Sequence, residues 1–137
     1  FIAELEGNPI RSSVGFDIDV DVYMEKKQFP KPSGVTEPKA SYGNAIIYER
    51  SASVKAWVLR RASGVCERCG EPAPFKTVAG NPYLEVHHVK RLSEGGSDTV
   101  ENCVALCPNC HRYLHYGSDK TEQLDLLYKN VPDLVRE

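Results

Sequence analysis

Apolar and polar positions alternate strictly over residues 14–22. Val14, Phe16, Ile18, Val20 and Val22 share one parity, and Asp17, Asp19 and Asp21 lie between them. A period of two predicts a half-buried strand with one wet face. The three aspartates read as groups that keep that face solvated rather than as a cation site. "FIAELE" is the expected partner strand, turned through "GNP". Residues 28–45 then carry three prolines, two glycines and no period, the signature of a linker or extended arm. Residues 1–45 are therefore expected to form a β-rich N-terminal arm or the tail of an upstream domain, with a Pro/Gly linker. The chain starts at Phe1 rather than Met, which suggests a fragment or a processed piece.

The pattern changes from Ile46, and residues 46–137 read as a second domain. "SASVKAWVLRRASG" predicts a helix capped by Ser51 or Ser53 and stopped by Gly64, with Val54, Trp57 and Val58 facing the core. "PFKTVAGNPYLEV" predicts two short strands around "AGNP". "HRYLHY" continues as a helix after Pro108, and "TEQLDLLYKN" is an amphipathic helix ending before Pro132. The class is α+β.

Composition changes this picture little. Charged residues make up 26% of the chain and the net charge is −2, which argues against a generic nucleic-acid binder. The distribution says more. Residues 46–117 hold nine basic and seven acidic groups, whereas both flanking blocks are net acidic. Arg50, Lys55, Arg60, Arg61, Lys90, Arg91 and Arg112 are the candidate phosphate contacts of that block. No apolar run approaches the ~18 residues of a membrane span, and there is no signal-peptide pattern. A reducing cytoplasm is the expected compartment.

The chemistry lies in the cysteines and histidines. Cys66–Cys69 and Cys107–Cys110 form two C-x-x-C pairs separated by 37 residues. In a chain without a secretion signal, such pairs read as a tetrahedral zinc site before they read as disulfides. Four thiolates close the shell, so this zinc is structural, and it would stabilise a domain whose core is thin. Cys103, in the apolar run "NCVALC", reads as a small buried hydrophobe. Two of the chain's four histidines are adjacent in "LEVHHV". Neighbours on a strand point to opposite faces, so these two are poorly placed to share one ion. His111 and His115, four apart on a helix, form a natural chelate. One imidazole of the "HH" pair would complete three ligands with an open position, the catalytic pattern. The other would then be free as a general base. A zinc shell that borrows His111 or His115 in place of a cysteine is the alternative.

The run "C-x-x-C … LEVHHV … LSEGG … ENCVALCPNCHRYLH" resembles the HNH endonucleases, whose active site is a ββα-metal finger. The likeness covers about residues 46–130 and is nearest the catalytic half of McrA-type restriction endonucleases, which cut DNA carrying modified cytosine. The resemblance implies that His87, His111 and His115 hold one catalytic divalent ion (Mn2+, Mg2+, Co2+, Ni2+ or Zn2+). It also implies that His88 is the general base and that Asn102 holds the β-turn and orients that base. Cys66, Cys69, Cys107 and Cys110 match the zinc-binding subgroup, and Gly95 and Gly96 its turn. Two departures stand out: Lys90 and Arg91 replace an aliphatic residue and proline, and Cys103 replaces the commoner leucine. Lys90, Arg91 and Arg112 are the expected phosphate contacts.

The implied activity is hydrolysis of double-stranded DNA to 5′-phosphate and 3′-hydroxyl ends. One active site per chain points to a homodimer for cutting both strands. The competing readings are a zinc-stabilised DNA-binding module without catalysis, and an HNH homing or phage nuclease.

Overall fold

The computed structural model describes residues 4–5, 8–9, 13–40 and 47–137, which fall into two units, Phe1–Ile47 and Tyr48–Glu137. In the first unit, β1 (Glu4–Leu5) pairs antiparallel with β2 (Asn8–Pro9), so the partner of the first segment lies next to it in sequence. The alternating segment is not a strand. It is the helix α1 (Ser13–Glu25), on which Phe16, Ile18, Val20 and Val22 are exposed. Among its described residues the arm is thus more helical than β-rich. The physical reason is backbone satisfaction: an isolated strand leaves its N–H and C=O groups unpaired, whereas a helix closes them internally. With no ladder partner among the described residues, the period-two pattern lost to local hydrogen bonding. Part of the 28–45 linker, residues 41–45, lies outside the described residues; residues 28–40 contain no helix or strand.

The second unit begins with α2 (Ala52–Ala62). Ser51 caps it, its Oγ accepting from Val54 N at 3.3 Å, and Ser63 ends it in the left-handed region (φ 53°). Val58 is buried and Val54 packs beside it, but Trp57 is 62% exposed. The expectation of a core tryptophan fails because the buried stripe runs through positions four apart, and Trp57 sits ~100° away from it. Of the two strands expected in "PFKTVAGNPYLEV", the first reduces to a Lys76–Pro82 bridge around the turn, beside stacked Phe75 and Tyr83 rings 4.7 Å apart, and the second starts only at Glu85.

The hairpin that carries the chemistry follows. β3 (Glu85–His88) pairs antiparallel with β4 (Cys103–Leu106), in a register that sets His87 opposite Val104 and His88 opposite Cys103. All four residues of β4 are buried. The helix α3 (Pro108–Tyr116) follows at once, with Cys107 as N-cap and Pro108 in the first turn, where its missing N–H costs nothing. The helix α4 (Lys120–Asn130) packs on α3, and the chain then returns to the hairpin, where Val135 N donates to Glu101 O at 2.9 Å. Leu106, Leu114, Leu127, Val58 and Val104 are the largest buried apolar side chains. This is a thin core for some 90 residues, the condition under which a small domain needs a staple.

Arg61 is part of that frame rather than of a DNA surface. Its Nε and Nη2 donate to the Glu67 carboxylate at 2.9 and 2.8 Å, and Nη2 also reaches Cys103 O at 2.8 Å. Glu67 Oε1 accepts from Ala105 N at 2.9 Å, so the bidentate pair ties α2 to the first cysteine turn and to β4.

Candidate functional site

Two donor sets, one all cysteine and one all histidine, flank the β3–β4–α3 unit, and a third cluster joins His88, Asp98 and Cys103. In the first, the sulfurs of Cys66, Cys69, Cys107 and Cys110 all lie within 4.8 Å of one another, and Cys69 and Cys107 are 3.9 Å apart. The turn after Cys66 closes through Gly70 N donating to Cys66 O at 3.0 Å, which aims both sulfurs of the first pair inward. The second pair opens α3, where the helix N-terminus favours negative sulfur. Burial opposes ionisation of Cys66, but backbone N–H groups of Cys69, Cys107 and Arg68 outweigh it and hold the thiol down at about 7. Burial pushes Cys110 up. Arg68 counters this with Nη1 at 3.2 Å from the Cys110 sulfur, its guanidinium stacked over Tyr113. Four sulfurs this close ionise together only around a soft cation, and the donor set fits tetrahedral zinc.

The second set is His87, His111 and His115, with ring centroids 4.9–5.1 Å apart and one nitrogen of each within 4.8 Å of the others. His87 comes from β3; the other two come from one face of α3, their Nε2 atoms 3.2 Å apart. Burial, then the neighbouring imidazoles, push His87 down to about 3, so its ring is neutral and keeps a lone pair. Its Nε2 is buried without a hydrogen-bond partner, a costly state that a divalent cation would relieve. The residues present fit an ion. His111 Nδ1 donates to Glu85 Oε1 at 2.8 Å, and Tyr83 Oη donates to Glu85 Oε2 at 2.7 Å. These two contacts outweigh burial and hold the Glu85 carboxyl below its ordinary value. The relay leaves His111 Nε2 as the nitrogen free for an ion.

His88 faces the other way from β3. Its Nε2 lies 2.8 Å from Asp98 Oδ1, and Asp98 Oδ2 accepts from Ser51 N at 2.6 Å. Burial opposes charge on Asp98, but the contacts with His88 and Ser51 N prevail and keep its carboxyl below the usual range. Asn102 is fully buried and does not touch His88 among the hydrogen bonds found. Its Oδ1 accepts from Lys90 N at 2.9 Å, and its Nδ2 donates to Lys90 O at 3.0 Å and Ser97 O at 2.7 Å. It clamps the 90–97 loop at both ends. That loop turns through Gly95, at φ 89°, and Gly96, where an added Cβ would strike the Lys90 carbonyl.

An open cavity of ≈ 310 Å³ joins the two faces, lined by the three clustered imidazoles, His88, Tyr48, Arg50 and Arg91 among others. Arg91 Nη2 is 3.2 Å from His115 Nδ1, and Arg91 Nε is buried without a partner. Arg112 lines a neighbouring cavity with Glu85 and His111, whereas Lys90 lies away from both, beside Glu94 and Glu137. Sequence reasoning missed Glu85, Tyr83 and Asp98. Glu85 was within reach, since it precedes His87 by two on a strand and shares its face. Asp98 left no signal, because only loop closure brings it to His88.

The HNH endonuclease family model matches residues 66–117, the span from the first zinc-type cysteine past the last histidine. This part of the chain therefore carries the pattern of an HNH endonuclease domain. The chain is 51% identical over 111 residues to the type IV methyl-directed restriction enzyme EcoKMcrA of Escherichia coli (strain K12), covering 81% of this chain and 40% of that one. A shorter match, 44% identical over 42 residues, is to anaredoxin of Nostoc sp. (31% of this chain, 55% of the relative). Among solved structures, the type IV phosphorothioation-dependent restriction endonuclease ScoMcrA superposes with a TM-score of 0.53 at 40% identity, over 59% of this chain and 18% of that one. The chain therefore spans about two fifths of the E. coli relative. The HNH domain contains both donor sets, and the McrA-type resemblance read from the motifs is matched by these relatives. Among the described residues no helix is long and apolar enough to cross a membrane.

Proposed function

We propose that the chain is the catalytic part of a modification-dependent restriction enzyme, a metal-dependent endonuclease that hydrolyses double-stranded DNA. One observation carries this reading: a three-imidazole donor set and an additional histidine, His88, line the same open cavity from opposite faces of β3. A binding module without catalysis has no use for that division. In the proposed roles, His87, His111 and His115 hold one divalent ion, and imidazole donors suit Mn2+, Co2+, Ni2+ or Zn2+ better than Mg2+ alone. When bound, the ion supplies Lewis acidity at the phosphate and neutralises charge on the departing 3′ oxygen. Cys66, Cys69, Cys107 and Cys110 hold a structural zinc.

His88 takes a proton from water as the water oxygen forms its bond to phosphorus. The P–O3′ bond breaks with its electron pair on the 3′ oxygen, which is reprotonated from solvent, leaving a 5′-phosphate and a 3′-hydroxyl. Arg91, whose Nε lacks a protein partner, donates to a phosphate oxygen; Arg112 and Lys90 are weaker candidates at the margin. Residues 46–137 are the nuclease domain and 1–45 an arm or linker to another domain, where recognition of modified cytosine would reside. The methyl-directed and phosphorothioation-dependent names of the relatives support a modified substrate. Two chains would cut two strands, in the cytoplasm.

The test is plasmid cleavage with Mn2+, repeated with EDTA and with His88→Ala. Nicking is expected with Mn2+ alone, falling by ~10²–10⁴ in the variant while its zinc content is unchanged. DNA retention without nicking would instead favour a zinc-stabilised binding module. Methylated and unmethylated duplexes compared in the same assay test the modification requirement.

A further inference from the structure

We infer that Asp98 is a positioning residue for His88, fixing the imidazole in the tautomer that leaves Nδ1 as its proton-accepting atom; this rests on the reading of His88 as the general base. A carboxylate oxygen only accepts, and Asp98 Oδ1 lies 2.8 Å from His88 Nε2. Nε2 therefore carries the hydrogen, and the lone pair of the neutral ring resides on Nδ1. Both groups are largely shielded, with side-chain exposures of 13% and 19%, so solvent competes weakly for the contact.

Asp98 is itself held from two sides. Its second oxygen accepts the backbone N–H of Ser51, the residue that caps α2, at 2.6 Å. The residue before it, Ser97, gives its carbonyl to Asn102 Nδ2 at 2.7 Å. Asn102 thus reaches His88 through the loop it clamps: it places Ser97, which places Asp98, which orients the ring. On this account the asparagine and the aspartate are one device, and α2 contributes to the site through its cap. When His88 takes up the proton, the adjacent carboxylate also stabilises the imidazolium it becomes.

The test uses the full zinc-loaded chain. In ¹⁵N-edited spectra of the neutral ring, His88 is expected to show a protonated Nε2 and a bare Nδ1. Asp98→Asn keeps an oxygen for Ser51 N but can present an N–H to the ring. It is expected to move the proton to Nδ1 and lower kcat by ~10²–10⁴, with KM changed less than about threefold and zinc content unchanged. Asp98→Glu should restore part of the rate. A wild-type ring protonated on Nδ1, or Asp98→Asn with kcat within about threefold of wild type while His88→Ala is inactive, would overturn the assignment of Asp98 alone. Full activity in His88→Ala would overturn the role of His88 itself.

Discussion

The sulfur centre and the imidazole cleft share one helix and differ in what surrounds it. α3 supplies Cys107 as its N-cap, Cys110 from its first turn, and His111 and His115 further along. The sulfur set is completed by a turn folded against it, with Cys66 and Cys110 buried. The imidazole set is completed by a single strand residue, His87, and opens onto a cavity. The same rigid element thus presents a four-donor site that is full and a three-donor site that is not. Coordination number separates the two roles: a filled tetrahedral shell can only hold structure, whereas an incomplete one can take substrate. What surrounds each site agrees. Arg68 covers the sulfurs with a cation that cannot accept a proton, while Glu85 and Asp98 orient imidazoles around a space left open.

The comparison breaks most visibly through the sulfurs. Cys110→Ser, or strong chelation, is expected to abolish the cooperative thermal transition followed by circular dichroism. A structural zinc is worth ~10–16 kcal/mol in apparent terms, at or above the whole stability of a domain this size. A variant that still melts cooperatively near the wild-type temperature would show the zinc to be dispensable. A finer test acts on the imidazole side only. Glu85→Gln removes the carboxylate behind His111 and should weaken binding of the catalytic ion by ~10–100-fold, measured by titration calorimetry with Mn2+. Tightly held zinc, assayed by a chromogenic chelator, should not change; if both metals weaken together, the two sites are not independent. The smallest effect lies between them. Cys103 faces His88 across the hairpin, and burial pushes its thiol up to about 12. It should stay unlabelled by iodoacetamide in the native protein at a pH of about 8 and react after denaturation, and Cys103→Val should cost under ~1.5 kcal/mol in urea melts. Fast native labelling would mean that the thiol belongs to the cleft.

Cys103 is one of the residues whose character was legible without coordinates, because an apolar run that long has to be buried. The convergence of the cysteines and of the helix histidines was legible for a related reason: C-x-x-C and an i, i+4 histidine pair are spacings that a turn and a helix bring together directly. "HH" on a strand likewise had to split between two faces. Residues 14–22 show the limit of such local reading. Their alternation is a condition for a strand but not a partner for one, and without a ladder the segment is helical. Trp57 failed for a smaller reason, since one step around α2 separates the buried stripe from solvent.

What the sequence by itself determined, then, is which donors exist and how they group over short distances, since backbone geometry sets spacing within a turn, a helix or a strand. Tertiary structure alone decided that Asp98 meets His88 and that Arg61 belongs to Glu67 and Cys103 rather than to a phosphate. Those meetings span 6 to 42 residues. They depend on loop closure and on packing against the hairpin, and no local period encodes either.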